Sequence, residues 1–117
     1  MKENVIKDKT FALRIVKAYK FLSEQKKEFI LSKQMLRSGT AVGAMIREAE
    51  QAESSADFVH KLSIALKEAN ETEYWIELLH QSGYLEKSVA SSIKSDLTEI
   101  LKLLTSIIKT TKQNAKK

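Results

Sequence analysis

The chain contains no cysteine and no proline, and its only glycines are Gly39, Gly43 and Gly83. Without cysteine there are no disulfides, no thiolate metal sites and no cysteine nucleophile. Sheet proteins draw on glycine and proline for their many tight turns, so the scarcity of both favours a few long helices with short connections. Aromatic residues make up 7% of the chain and form no aromatic-rich RNA-recognition signature. There is no Gly-x-Ser-x-Gly and no glycine-rich phosphate loop. No apolar run approaches the ~20 residues of a membrane span. Met1-Lys2-Glu3-Asn4 leads into no apolar run of signal-peptide type. The expectation is one cytoplasmic domain, residues 1–117, with no membrane association, no cofactor, no metal and no catalytic residue.

What the chain does have is segregated charge. Residues 1–47 carry a balance of +7, residues 48–86 a balance of −7, and residues 87–117 a balance of +5. The acidic middle block can neutralise its neighbours within one fold or between subunits. A net +5 remains, and surplus positive surface suits an anionic partner such as nucleic acid.

Hydrophobic spacing predicts four helices, at about 8–25, 28–51, 56–81 and 87–111. Phe11, Ile15, Ala18 and Leu22 recur at three- and four-residue steps, with Ala12, Val16 and Tyr19 widening the stripe. Met35, Gly39, Val42, Ile46 and Ala49 continue the rhythm on the second helix. Ser54-Ser55-Ala56-Asp57 reads as a break and a new N-cap. Phe58, Leu62, Ala65, Ala69, Thr72, Ile76 and Leu79 form the third stripe, with Ile64, Glu68, Glu71, Trp75 and Leu78 running beside it. Ser82-Gly83 is a C-terminal stop. Ile93, Leu97, Ile100, Leu104 and Ile107 form the fourth stripe, and the polar tail 112–117 is expected to fray. Short connections make successive helices antiparallel neighbours. The fold class is all-α, an antiparallel up-and-down four-helix bundle.

Two stretches carry a resemblance. The first is Arg37-Ser38-Gly39-Thr40-Ala41-Val42-Gly43-Ala44-Met45-Ile46-Arg47-Glu48-Ala49. The second is Asp57-Phe58, followed by Lys61 through Leu79 with its Lys67-Glu68-Ala69-Asn70-Glu71-Thr72-Glu73-Tyr74-Trp75 centre. Together they resemble the 23S ribosomal RNA intervening-sequence proteins. The family usually reads Gly-Ala-Asn-Ile where this chain has Gly43-Ala44-Met45-Ile46. The resemblance implies an up-and-down bundle that assembles as a homopentamer. It also implies similarity to the accessory variability protein of diversity-generating retroelements, whose basic surface engages nucleic acid.

The polar residues divide into readings that stay open at this level. Arg37, Arg47, Glu48, Glu68 and Glu71 form a structural ion-pair network, within or between subunits, since half-buried carboxylates need cationic partners. Two carboxylate-x-x-His pairs, Asp57 with His60 and Glu77 with His80, lie on one helix about 30 Å apart at ~1.5 Å per residue, so they cannot share a metal within one subunit. Gly39 and Gly43 cost the helix roughly 1 kcal/mol each relative to alanine, and close approach of another backbone is the natural offset. Trp75 is an anchor at the core or at an interface, or, with Tyr74, a surface on which a base stacks. Lys9, Arg14, Lys17, Lys20, Lys26, Lys27 and Lys33 are either a solvated face or a footprint for the phosphates of RNA or DNA. The functional expectation is a non-enzymatic nucleic-acid-binding or accessory protein, acting as a homo-oligomer, with RNA first. The alternative is an oligomeric adaptor whose partner is another protein.

Overall fold

The computed structural model describes residues 9–115. Four helices follow one another: α1 Thr10–Glu24, α2 Leu31–Ala49, α3 Ser55–Gln81 and α4 Lys87–Ala115. The molecule measures 52 × 21 × 21 Å. The register of cross-helix pairs shows the antiparallel order. Arg37 of α2 meets Glu68 and Glu71 of α3, and twelve or so residues further along α2, Glu48 meets Lys61 back near the start of α3. Glu77 of α3 meets Lys94 of α4. The chain is an all-α four-helix bundle.

The apolar stripes are the core. Ile15, Leu22, Met35, Ala65, Ala69, Ile76, Leu79, Leu97 and Leu104 are fully buried, and Val42, Ile46, Leu62, Ile93 and Ile100 nearly so. Val16 departs from its predicted place. It is 37% exposed, because one step of about 100° from Ile15 carries it off the narrow strip that α1 buries. Leu13 is also exposed.

Each helix end has an identifiable cause. α2 begins at Leu31 rather than near residue 28, with Ile30 at the N-cap position and the Glu28 side chain folded back over the first turn from outside the helix. Glu28 Oε2 accepts from the N–H of Ile30 and Leu31, Oε1 accepts from the N–H of Ser32 at 2.7 Å, and Ser32 Oγ donates to the Glu28 carbonyl. A helix start leaves such N–H groups without intrahelical partners, and here one carboxylate takes three of them. The preceding Lys27 has φ +56°, a left-handed conformation that turns the chain back on itself. Ser54 caps α3 by accepting from the Asp57 N–H at 3.0 Å, as its sequence suggests. At the other end of α3, Gly83 has φ +88°, the Gly83 N–H bonds the His80 carbonyl and the Tyr84 N–H bonds the Leu79 carbonyl. That is a Schellman stop, which needs the left-handed residue glycine supplies.

α4 runs on through Lys112 to Ala115, where a frayed tail was expected. No proline or glycine interrupts it, Thr111 Oγ1 donates to the Ile107 carbonyl, and Lys112 complements the negative pole of the helix. Lys116, Lys117 and the predicted helix start at Asp8 lie outside the described residues.

The small-residue run of α2 divides in two. A Cβ at Gly39 would lie 2.8 Å from Ile15 Cγ2, so α1 packs directly onto this glycine. At Gly43 no described residue outside its own turn of helix lies within 4 Å of such a Cβ. Among the described residues, the close approach belongs to Gly39. Between α2 and α3 a buried polar contact crosses the core, where the Thr72 and Ser38 hydroxyls bond at 2.8 Å while Thr72 Oγ1 donates to the Glu68 carbonyl at 2.7 Å. Among the described residues no buried side-chain nitrogen or oxygen lacks a partner.

Candidate nucleic-acid interface

The acidic block of α3 faces cations of its own chain. Arg37 Nη1 lies 3.3 Å from Glu68 Oε1, and Arg37 Nη2 bonds Glu71 Oε2. Trp75 Nε1 donates to the same Glu71 oxygen at 2.9 Å, while the Trp75 ring meets Tyr74 edge-on at a centroid distance of 5.0 Å. The hydrogen bond from Trp75, joined by that from Arg37, holds the Glu71 carboxyl below its ordinary pKa. The bond to Glu71 in turn raises Arg37 above its usual value. This joins four residues of the expected network or its neighbour Trp75. Glu48 stands apart and pairs with Lys61 at 3.3 Å. Arg47 is exposed and makes no ion pair with another described residue. Lys94 Nζ donates to Glu77 at 2.9 Å, and that bond raises the Lys94 pKa.

The same geometry separates the two carboxylate–histidine pairs. Glu77 is engaged by Lys94, and His80 Nδ1 donates to the Leu85 carbonyl at 3.0 Å, a carbonyl being an acceptor only. Among the described residues no three His, Asp or Glu side chains converge as metal ligands would.

The seven candidate phosphate ligands fall into two groups. Arg14 bonds Asp96 and donates through Nη2 to Ser92 Oγ at 2.8 Å. It ties α1 to α4 and is only a third exposed. Lys9, Lys17, Lys20, Lys26, Lys27 and Lys33 are exposed. Four of these, Lys20, Lys26, Lys27 and Lys33, cluster about the α1–α2 turn, because Lys20 is on the last turn but one of α1 and Lys33 on the first turn of α2. The ionised Glu28 carboxylate in the cap and the exposed Glu24 lie among these lysines and offset part of their charge. Lys26 Nζ stands 5.8 Å from the centroid of the Phe21 ring. Lys9 sits a whole helix length away, about 20 Å at ~1.5 Å per residue.

Two features went unread in the sequence. One is the Glu28 cap. The other is a groove of about 490 Å³ between α1 and α4, walled by Ala18, Phe21, Leu85, Val89 and Ile93, with Arg14, Lys17 and Glu86 at its edge. Phe21 lies outside the α1 stripe, and that off-stripe aromatic was the available signal.

The sequence pattern of the 23S rRNA-intervening sequence proteins matches residues 4–106 of this chain. The chain belongs to that family. It is also similar to a protein of unknown function of the S23 ribosomal protein family from Bacteroides thetaiotaomicron VPI-5482, known from its crystal structure. The two are 64% identical, the match covers 93% of this chain and 99% of the other, and the TM-score is 0.90. No curated protein matches. In this 23S rRNA-intervening sequence protein, the departure at Met45 is accommodated by packing. Met45 is half-buried against the core, an apolar contact in place of any polar one.

Proposed function

We propose that the protein is a non-enzymatic nucleic-acid-binding or accessory protein of the cytoplasm, with RNA as its first partner. One observation carries this reading. Glu68, Glu71 and Glu77 of α3 are directed to cations of the same chain, whereas Lys9, Lys17, Lys20, Lys26, Lys27 and Lys33 are exposed. Solvent-facing surplus positive charge of this kind suits phosphate backbones. The family's link to an intervening sequence of 23S rRNA supports RNA over DNA. Contacts of this type position a protein on the backbone and read little sequence.

The reading includes self-assembly, as a pentamer by family resemblance. Leu13 and Ile30 are exposed and available to a covering partner, though single exposed apolar side chains are ordinary on a monomer. The same exposure suits the second reading, an oligomeric adaptor for another protein.

Anisotropy with labelled structured RNA, duplex DNA and single strands tests the choice. Phosphate binding weakens by orders of magnitude between about 50 and 200 mM salt when several phosphates are contacted. Lys17→Glu with Lys20→Glu is expected to remove most of the affinity. No binding at the lower salt to any of the three sinks the reading and leaves the adaptor.

A further inference from the structure

We infer that the α1–α4 groove is a pocket for one unpaired nucleobase, so that the protein selects single strands and loops over duplex. This rests on the nucleic-acid reading above and deepens it. The groove's volume, about 490 Å³, falls in the size range of small-molecule sites, roughly 300–1,000 Å³. It is ample for one planar base and its sugar. Its walls are apolar side chains of α1, of α4 and of the turn before α4, and its aromatic wall is Phe21. That ring is 43% exposed although it stands beside a core that could have covered it.

Cations flank this aromatic wall. Lys17 is one helical turn before Phe21 on the same face of α1, and Lys26 holds its ammonium 5.8 Å from the ring centroid. A base stacked on the groove side of Phe21 thus has its own phosphate beside Lys17, while Lys26 stands over the ring outside the groove lining. Base–aromatic stacking next to a cationic track is how single strands are held. Arg14 plays another part. Bonded to Asp96 and Ser92, it is a fixed strut that keeps α1 and α4 at the spacing of the groove. Glu86 places a carboxylate at the edge. An ionised carboxylate only accepts hydrogen bonds, so it repels phosphate and suits the amino edge of a base. Its position orients the ligand base-inward, phosphate toward Lys17. A base in a duplex is stacked on both faces and cannot enter.

The test is anisotropy with one labelled RNA strand, alone and as a duplex with its complement, at about 50 mM salt, where phosphate contacts are strong. The wild-type protein is expected to prefer the single strand. Phe21→Ala is expected to lower single-strand affinity by about 5- to 150-fold, the equivalent of one stacked base, and to leave duplex affinity unchanged. Val89→Trp fills the groove from the α4 side and is expected to do the same, while Phe21→Tyr retains the ring and the affinity. Thermal melting of each variant separates loss of binding from loss of fold. If Phe21→Ala and Val89→Trp melt normally and bind both ligands like the parent, the pocket is wrong, and charge reversal at Lys17 and Lys20 still tests the phosphate footprint by itself. If the parent binds neither ligand, both ideas fail together. If Phe21→Ala instead changes the oligomer mass by light scattering, the groove is a contact between copies and the pocket is overturned.

Discussion

Gly39 and Gly43 are the same residue in the same helix with opposite surroundings. At Gly39 an added methyl meets the stiff Ile15 side chain at 2.8 Å. Overpacking of this kind costs about 1–3 kcal/mol, against about 1 kcal/mol of helix propensity gained. Gly39→Ala is expected to lower stability or at best leave it unchanged. Gly43→Ala adds a methyl to open space and is expected to raise stability by up to about 1 kcal/mol in the isolated chain. Urea denaturation of both variants reads the contrast, and a Gly43→Ala variant weaker than the parent would locate a second chain against that glycine. Glu28 makes a different kind of residue-level demand. Burial penalises its charge, yet the N–H groups of Leu31, Ser32 and Ile30 together outweigh that penalty and hold its carboxyl below the ordinary 4.5. A carboxyl lowered on folding stabilises the fold above its ordinary value, and that contribution is lost as pH falls through the lower folded value. Glu28→Gln is therefore expected to cost about 0.5–2 kcal/mol at pH 7, as loss of a helix cap does. The same variant should show a shallower loss of stability below about pH 4.5 than the parent. Equal acid sensitivity in parent and variant would remove Glu28 from that role.

Between elements, polar contacts set how the helices are held against one another. The Thr72–Ser38 pair is buried between α2 and α3, and neither hydroxyl reaches water. Each hydroxyl also reaches a carbonyl of its own helix, Thr72 Oγ1 that of Glu68 at 2.7 Å and Ser38 Oγ that of Met35 at 3.4 Å, so removing one partner loses the cross-helix bond, about 0.5–1.5 kcal/mol, whereas removing both is close to neutral. Thr72→Val is thus expected to destabilise more than the double variant Thr72→Val, Ser38→Ala. A double-mutant cycle with additive losses would show that the pair is not coupled. Among the described residues, α1 is tied to α2 by the Ile15–Gly39 packing and to α4 by the Arg14 strut. It has 15 residues against 29 in α4, so it covers only part of α4 and leaves a groove beside its last two turns. Arg14→Ala is expected to loosen α1 relative to α2–α4, which hydrogen exchange of α1 amides would register as faster exchange there than in α3. Uniform acceleration across all four helices would instead mark Arg14 as a contributor to global stability alone.

At the scale of the molecule, charge and apolar periodicity were legible in the sequence to different depths. The stripes of α2, α3 and α4 and the inner part of α1 were readable, because a 3.6-residue period is a local property and says which face a helix buries. Ser54 and Gly83 were readable for the same reason, since each cap is settled within a few residues. Glu28 was not, because an acid three residues ahead of a helix resembles any solvated glutamate until the turn at Lys27 folds it under the first N–H groups. The basic, acidic, basic succession was plain in the chain, but not its outcome. Arg14 and Asp96 are 82 residues apart, and nothing in the sequence says that this arginine is tied down while Lys17 is free. What the sequence by itself determined is the four-helix bundle, its buried faces and its surplus of positive charge. Only the tertiary structure decided which charges are spent on one another, which glycine takes the close contact and where the groove opens. Those depend on how each helix is rotated and offset against partners distant in the chain, a relation that no local pattern encodes.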